Sequence, residues 1–412
     1  MTYLMINSAG KHVIHPFDRA VPPTEPPRLL VFVGNPTQYH SPIFRKLSDA
    51  LGGRMEVMYG DDIGARPFFN AEVNAVIDWD IPVLGGFPYR IFPNRAQSDR
   101  KGFWSRNNPS MIWHVYRSPA THILLHGYDT LSSWYVYFAA LLSGKKIIWR
   151  GETVAKIGQR PGRMEIVKRT VLPIYFRLCN KILYSCSNNR DYLSTFTPNS
   201  EQKFVPFPCA VDNDFFRKNA VADIGEQQSL RNELNIPEGH VVIATCSRLT
   251  KRKRTDAILD AIARLPERRA TLLVIGDGPE RPALVKRAKE LGVSLVIAGF
   301  VGQLKVARLL SISDIFILLS IYDPSPKALN EAMSFPIPIV ASTGVGTARD
   351  LVQHGVNGYL FEAGQEEALT GWLKQWIDNP EKRRAMGQAN AAIIAGYSID
   401  IDVRNVMGIL GR

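Results

Sequence analysis

Two acids, Asp323 and Glu331, stand eight positions apart in the segment Tyr322-Asp323-Pro324-Ser325-Pro326-Lys327-Ala328-Leu329-Asn330-Glu331-Ala332-Met333. Pro326 suits a first helical turn, where its missing N–H has no partner to lose. The N–H groups of Lys327, Ala328 and Leu329 then point out of a positive helix end, which favours phosphate. One acid precedes that helix and the other lies a little over a turn inside it. The arrangement suits a ligand with a diphosphate in the middle and hydroxyl-rich groups on both sides, as in a nucleotide sugar.

A second set of charges follows an apolar run. Val241-Val242-Ile243-Ala244-Thr245-Cys246 reads as a buried strand leading into Ser247-Arg248-Leu249-Thr250-Lys251-Arg252-Lys253-Arg254. In open α/β sheets, ligands bind beyond the carboxyl ends of strands. Arg248 stands at that edge, with Lys253 five residues on. A guanidinium offers a planar fork to phosphate oxygens and an ammonium a mobile point charge. A solvated basic loop accounts equally well for Lys251, Arg252 and Arg254.

The acidic segment resembles the E-x7-E element of retaining GT-B glycosyltransferases of family GT4, with Asp323 in place of the first Glu and Glu331 as the second. Pro338-Ile339-Val340-Ala341-Ser342, Gly344-Val345-Gly346 and Asp350-Leu351-Val352 fit the same pattern. Ser247-Arg248-Leu249 and Lys253 resemble the family's G-R-L-x-x-x-K, with Ser for Gly. Pro326 stands where the family usually has Gly, and Lys327 where it usually has an apolar residue. The resemblance covers roughly residues 240–365 and is looser upstream. It implies that Arg248 and Lys253 clamp the diphosphate, Asp323 bonds hydroxyls of the transferred sugar, and Glu331 holds the ribose. It also implies a UDP- or GDP-linked sugar as donor, same-face attack by the acceptor hydroxyl, and no metal or other cofactor. Phe300 and Val301, after Leu295-Val296-Ile297-Ala298-Gly299, become base contacts or else core residues.

These residues need a frame that holds them. Strand-like runs at Leu29–Val33, Ile123–Leu125, Lys146–Trp149 and Lys181–Ser185 make a first α/β half. The second half alternates strand and helix from Val241 to about Leu360. Such alternation implies parallel sheets, and the expected fold class is α/β, two Rossmann-like domains facing a cleft. The expected division is an extension over 1–27, an acceptor domain over 28–205, a donor domain over 206–395, and a last helix over 396–412 crossing back to the first domain. In the first half, Gly34–His40, His126–Asp129 and Gly151–Glu152 end strands at the cleft. Gly34 could let backbone approach the phosphate or sugar. His126 is either a sugar or acceptor contact or a histidine bonded to a neighbouring carbonyl. Tyr128, Asp129, Glu152 and His40 are weaker candidates.

A 412-residue chain that is 45% hydrophobic can build two cores. Cys179, Cys186, Cys209 and Cys246 show no metal spacing and fit a reduced compartment. The first residues lack a long apolar run, and no segment reaches the about 20 apolar residues of a membrane span. The net charge is +12. Arg90, Arg95, Arg100, Lys101, Arg106 and Arg117 alternate with Phe87, Tyr89, Phe92, Phe103, Trp104, Trp113 and Tyr116. A second stretch joins Arg160, Arg163, Lys168, Arg169, Arg177 and Lys181 to Val171, Leu172, Ile174, Tyr175 and Phe176. Both suit an anionic membrane surface or a lipid-linked glycan acceptor. No nucleic-acid motif accompanies the charge, so nucleic acid is not an expected partner. The expected place is the cytoplasm, with peripheral contact at the inner face of the membrane. The expected activity is glycosyl transfer in surface polysaccharide or glycolipid assembly. The alternatives are another GT-B enzyme, such as a sugar-nucleotide epimerase, and a non-catalytic GT-B binding protein.

Overall fold

The computed structural model describes residues 28–70, 75–97, 102–155, 163–267, 269–362 and 365–411. The extension over 1–27 lies outside the described residues, as do Arg100, Lys101 and Arg160.

The first half contains β1 (Leu29–Val33), β2 (Met55–Tyr59), β3 (Phe68–Asn70), β4 (Ala75–Ile77), β5 (Tyr89–Ile91), β6 (His122–His126), β7 (Lys146–Gly151), β8 (Lys181–Tyr184) and β9 (Phe204–Pro206). Seven of these form a parallel sheet in the order β5-β2-β1-β6-β7-β8-β9, and β3 and β4 pair antiparallel outside it. The second half contains β10 (Val241–Cys246), β11 (Ala270–Ile275), β12 (Ser294–Gly299), β13 (Ile315–Leu318), β14 (Ile339–Ser342) and β15 (Gly358–Phe361). They form a parallel sheet in the order β12-β11-β10-β13-β14-β15.

Both faces of each sheet are covered, which is why the strands read as continuous apolar runs. Along β1, Leu29, Val31 and Val33 enter one core while Leu30 and Phe32 enter the other. Along β10, Val241 and Ile243 face one core and Val242 and Ala244 the opposite one. In each sheet the order reverses beside the first strand, between β1 and β6 and between β10 and β13. Those two switch points open crevices at the carboxyl ends of the strands.

The last helix, Ile399–Ile409, packs Ile399 and Val406 into the first sheet's core. Arg28 Nη2 donates to the Leu410 carbonyl (2.6 Å), and Lys46 pairs with Asp400 (2.6 Å).

Three local readings change. Phe204–Pro206, beyond the strand-like runs expected in the first half, is an edge strand, a place that tolerates a proline. Pro326 is the N-cap of the helix Lys327–Met333, with ψ 123°, and stands just outside its first turn. The basic and aromatic stretch over 87–117 is not one surface. Phe87 and Phe92 are core residues, Arg90 pairs with Glu56 (3.1 Å), and Arg106 with Asp61 (2.8 Å). Phe103, Trp104, Trp113 and Tyr116 are exposed.

Candidate active site

The charged residues of the second domain meet at its switch point. Lys253 closes the loop after β10, and Asp323 lies in the loop after the neighbouring strand β13. The Lys253 ammonium pairs with Asp323 Oδ2, and both side chains are almost fully buried. Arg248 is half-buried at the same sheet edge.

Glycines brace both loops. The Asp323 N–H donates to the Gly344 carbonyl (2.9 Å), and the Gly346 N–H donates to the Asp323 carbonyl (2.8 Å). A Cβ on Gly346 would lie 2.0 Å from the Pro324 oxygen, so only glycine lets this strap lie against the acidic loop. Gly276, at φ +146°, would place a Cβ 2.0 Å from the Ser247 oxygen, under the loop that carries Arg248.

Loops of the first domain close over the helix Lys327–Met333. The Tyr39 hydroxyl, from the loop after β1, donates to Glu331 Oε1 (3.1 Å). Lys327 Nζ donates to Cys209 Sγ (2.7 Å), lies 3.4 Å from Glu152 Oε1, and sits 5.9 Å above the Tyr39 ring. Arg150 Nη2 reaches the same Glu152 oxygen (2.5 Å). Ser185 and Ser325 share a hydrogen bond (3.0 Å), and the Ser187 N–H donates to Asp350 (2.8 Å). Asp80 accepts from the N–H groups of Gln303 (3.0 Å) and Leu304 (2.8 Å), capping the helix Gln303–Ser311 from the other domain.

Burial and charge set the protonation states. Burial pushes the Glu331 carboxyl up to about 7, against the lowering pull of its Tyr39 hydrogen bond and of Lys327. Burial also acts to raise Glu152, but Lys327, Arg150 and His40 outweigh it and hold that carboxyl well below the usual range. Lys327 stays charged: burial works against it, while Cys209 and Glu152 carry its pKa upward. Burial, with Arg150 and Lys327 nearby, brings His40 down to about 3. Burial and Arg150 also hold His126 well below the ordinary histidine range. The two rings are therefore neutral, and they meet edge to face with centroids 5.0 Å apart.

Several buried polar atoms here lack a hydrogen-bond partner among the described residues: His40 Nδ1, His126 Nε2, Arg150 Nε, Ser247 Oγ, Thr250 Oγ1 and both amide atoms of Asn330. Buried polar groups are ordinarily satisfied, so this cluster marks the cleft as a place built to meet polar atoms. A pocket of about 290 Å³ runs along His126–Asp129 and Trp149–Thr153. A second, of about 280 Å³, spans the domains between Val154, Tyr192, Tyr322 and Gly344.

Lys253 and Asp323 thus pair at the sheet edge where Arg248 follows β10, Lys327 and Glu331 stand on the helix that follows Asp323, and His126 lines the pocket of the first domain. Phe300 is 37% exposed at the end of β12, while Val301 packs partly into the core. Leu329 is fully buried, so only its backbone could serve a ligand, and Ala328 is half-buried. Gly34 lies against Arg106, whose Cζ would be 2.8 Å from an added Cβ. Its carbonyl accepts from Gly60 (2.9 Å) and Asp61 (3.0 Å). Tyr39 lies in the Gly34–His40 loop expected at the cleft but is not singled out there, and nothing in the sequence marks Arg150, Cys209 or Asp80 as site residues. For Tyr39 the available signal was its place just past the end of β1, at the switch point.

Residues 226–392 match the family described as "Glycosyl transferases group 1". The chain is 32% identical over 164 residues to N-acetyl-alpha-D-glucosaminyl L-malate synthase of Bacillus anthracis, covering 40% of this chain and 43% of that protein. It is 27% identical over 169 residues to the lipopolysaccharide core biosynthesis glycosyltransferase LpsE of Rhizobium meliloti, covering 41% and 49%. The matched stretch thus spans less than half the length of these curated relatives. Among solved structures, Anabaena HepE in complex with UDP and glucose superposes with a TM-score of 0.70 at 15% identity, over 93% of this chain and 99% of that one. WaaG, a glycosyltransferase involved in lipopolysaccharide biosynthesis, superposes with a TM-score of 0.63 at 15% identity over the same shares. Likeness at that identity speaks to fold. Residues 226–392 therefore form a domain of the glycosyl transferases group 1 family, set in a GT-B fold of two Rossmann-like halves.

Proposed function

We propose that this chain is a retaining, GT4-type glycosyltransferase. It moves a sugar from a UDP- or GDP-linked donor to a glycan or lipid-linked acceptor in surface polysaccharide or glycolipid assembly, at the inner face of the membrane. The observation that carries the reading is the gathering of Arg248, Lys253, Asp323 and Glu331 at the switch point of the second sheet. The family match over that domain supports it, as do the UDP and UDP-glucose bound by HepE.

In this reading the second domain (206–395) takes the donor and the first (28–205) the acceptor. Arg248 and Lys253 face the diphosphate, and Lys327 lies near enough to add to their field. Charge that develops on the leaving diphosphate meets preorganised cations, the largest single source of rate in many enzymes. No step needs a divalent ion. Asp323 exchanges its Lys253 partner for hydroxyls of the transferred sugar. Glu331 leaves Tyr39 and takes the ribose hydroxyls. The neutral His126 can donate or accept a hydrogen bond at a sugar hydroxyl without adding charge. The acceptor hydroxyl attacks from the face that the diphosphate leaves, so the anomeric configuration is kept.

An epimerase would need acid and base groups poised at the sugar carbons. The pairing of Asp323 with Lys253 instead suits binding of an intact donor. A thermal-shift panel of UDP- and GDP-sugars, followed by transfer to lipid-linked and soluble acceptors with EDTA present, tests the reading. Product with the α or β configuration of the donor supports it. Stabilisation by no nucleotide sugar overturns it.

A further inference from the structure

Three helices cover one face of the first sheet: Ser110–Arg117, Leu131–Leu142 and Arg163–Leu178. Their inward residues, including Met111, Val115, Val136, Leu172, Tyr175 and Phe176, fill a single core with β1, β6 and β7. An amphipathic helix with one face so used should turn polar residues outward. The helix Arg163–Leu178 does not. Val167, Val171, Ile174 and Leu178 follow spacings of four, three and four, which make one continuous stripe, and all four are exposed, Ile174 by 65%. Ile166 is exposed beside them.

The apolar surface continues onto the next helix. Tyr137 stacks on Tyr175 with centroids 4.0 Å apart, which fixes the two helices side by side. Phe138 and Leu142 stand outward there, Leu142 by 78%. The third helix adds Ile112, Trp113 and Tyr116, with Arg117 lying 4.9 Å over the Trp113 ring. A contiguous apolar surface of this kind marks an interaction site.

Charge says what kind. The three helices contain Arg117, Arg163, Lys168, Arg169 and Arg177 against one acid, Glu165, which lies 3.9 Å from Lys168. Cations among aliphatic and aromatic side chains fit the headgroup layer of an anionic bilayer, with the stripe reaching the upper acyl chains. No described helix is long and apolar enough to cross a membrane, so this contact lies on the surface. We infer that this outer face, centred on Val167, Val171, Ile174 and Leu178, docks the protein on an anionic phospholipid surface.

The inference deepens the reading above, on which it rests for its purpose: a lipid-linked acceptor. The inner face of the same helix supports the pocket wall, since the Tyr128 ring lies 6.2 Å from Tyr175 and 6.4 Å from Phe176. Docking the outer face would therefore bring that pocket to within a helix diameter, roughly 10 Å, of the headgroups.

The test is co-sedimentation with vesicles of phosphatidylcholine containing 30% phosphatidylglycerol, or of phosphatidylcholine alone, with UDP and GDP binding measured on the same samples. The wild type should sediment with the anionic vesicles only. The double substitution Val167→Glu and Ile174→Glu should lower partitioning at least tenfold. Arg177→Ala should lower it roughly fivefold. The gentler pair Val167→Ser and Ile174→Ser should give an intermediate loss with an unchanged melting temperature, which rules out misfolding as the cause. Equal sedimentation of the wild type and the Glu pair would overturn the inference. So would a wild-type dimer in sedimentation equilibrium that the Glu pair dissociates, because the face would then bind a second copy. Loss of vesicle binding with nucleotide binding intact would leave the donor-site reading standing. Absence of both UDP and GDP binding would fail that reading and not this one.

Discussion

The Tyr39 hydroxyl donates a 3.1 Å hydrogen bond to Glu331, joining the loop after β1 to a helix 292 positions away in the chain. Glu331 is the acid assigned to the ribose, and it is only 3% exposed. A nucleotide that reaches it must displace Tyr39, so the bond competes with the donor. Tyr39→Phe should bind UDP or GDP threefold to tenfold more tightly, the worth of about 1 kcal/mol for a net hydrogen bond. Isothermal titration checks this. An unchanged or weaker affinity would show that Tyr39 does not oppose binding.

The same acid predicts a pH dependence. The Glu331 carboxyl is raised from an ordinary value of 4.5 to about 7 by burial. The native state then holds a proton that the unfolded state releases, so its contribution to stability is full below pH about 4.5, falls up to about 7, and is flat above. Glu331→Gln should remove that part of the slope in a series of denaturant melts. Because ribose hydroxyls donate to a carboxylate, nucleotide affinity should rise through pH 7 in the wild type. It should rise less in Glu331→Gln, in which only the ligand's own phosphate titrates.

For the clamp, Arg248→Ala and Lys253→Ala should each lower turnover by about 10²-fold, since one preorganised group facing developing charge contributes about 3 kcal/mol. Lys253→Ala should also leave Asp323 without its partner. Near-normal transfer by both variants would remove these residues from the diphosphate.

The glycine strap gives a test that involves no charge. Gly346→Ala would press a methyl group 2.0 Å from the Pro324 oxygen and displace the acidic loop. It should cost about 1–3 kcal/mol of stability and much of the activity. Gly371, in the helix Leu369–Asp378, has nothing within 4 Å of an added Cβ. Gly371→Ala should stabilise by about 0.5–1 kcal/mol and leave turnover alone. Thermal melts with parallel assays compare the two.

Local spacing made the donor side legible. Arg248 and Lys253 follow an apolar strand, and Asp323 and Glu331 flank a helix start, so each pair lies within ten residues. The cross-domain partners obey no local period: Tyr39 with Glu331, Lys327 with Glu152, Asp80 with Gln303. Only the assembled cleft brings them together. Strand β2 was passed over because Glu56 interrupts its apolar run. That acid is held by His114 Nε2 (3.0 Å) and Arg90 (3.1 Å), contacts made by distant residues. The three-residue strands β5 and β9 are too short to show alternation. The basic stretch over 160–181 is legible as a surface candidate, but which of its apolar residues face outward is not: Val171 and Ile174 are exposed, while Leu172, Tyr175 and Phe176 fill the core.

The most direct measurement is a calorimetric titration of the free nucleoside diphosphate and of its sugar into wild type, Asp323→Asn and Glu331→Gln. If Asp323 serves the sugar and Glu331 the ribose, Glu331→Gln weakens both ligands, while Asp323→Asn keeps the free diphosphate at wild-type affinity and fails in transfer. The reverse pattern would swap the two assignments. Wild-type protein that binds neither ligand would contradict the account at its centre.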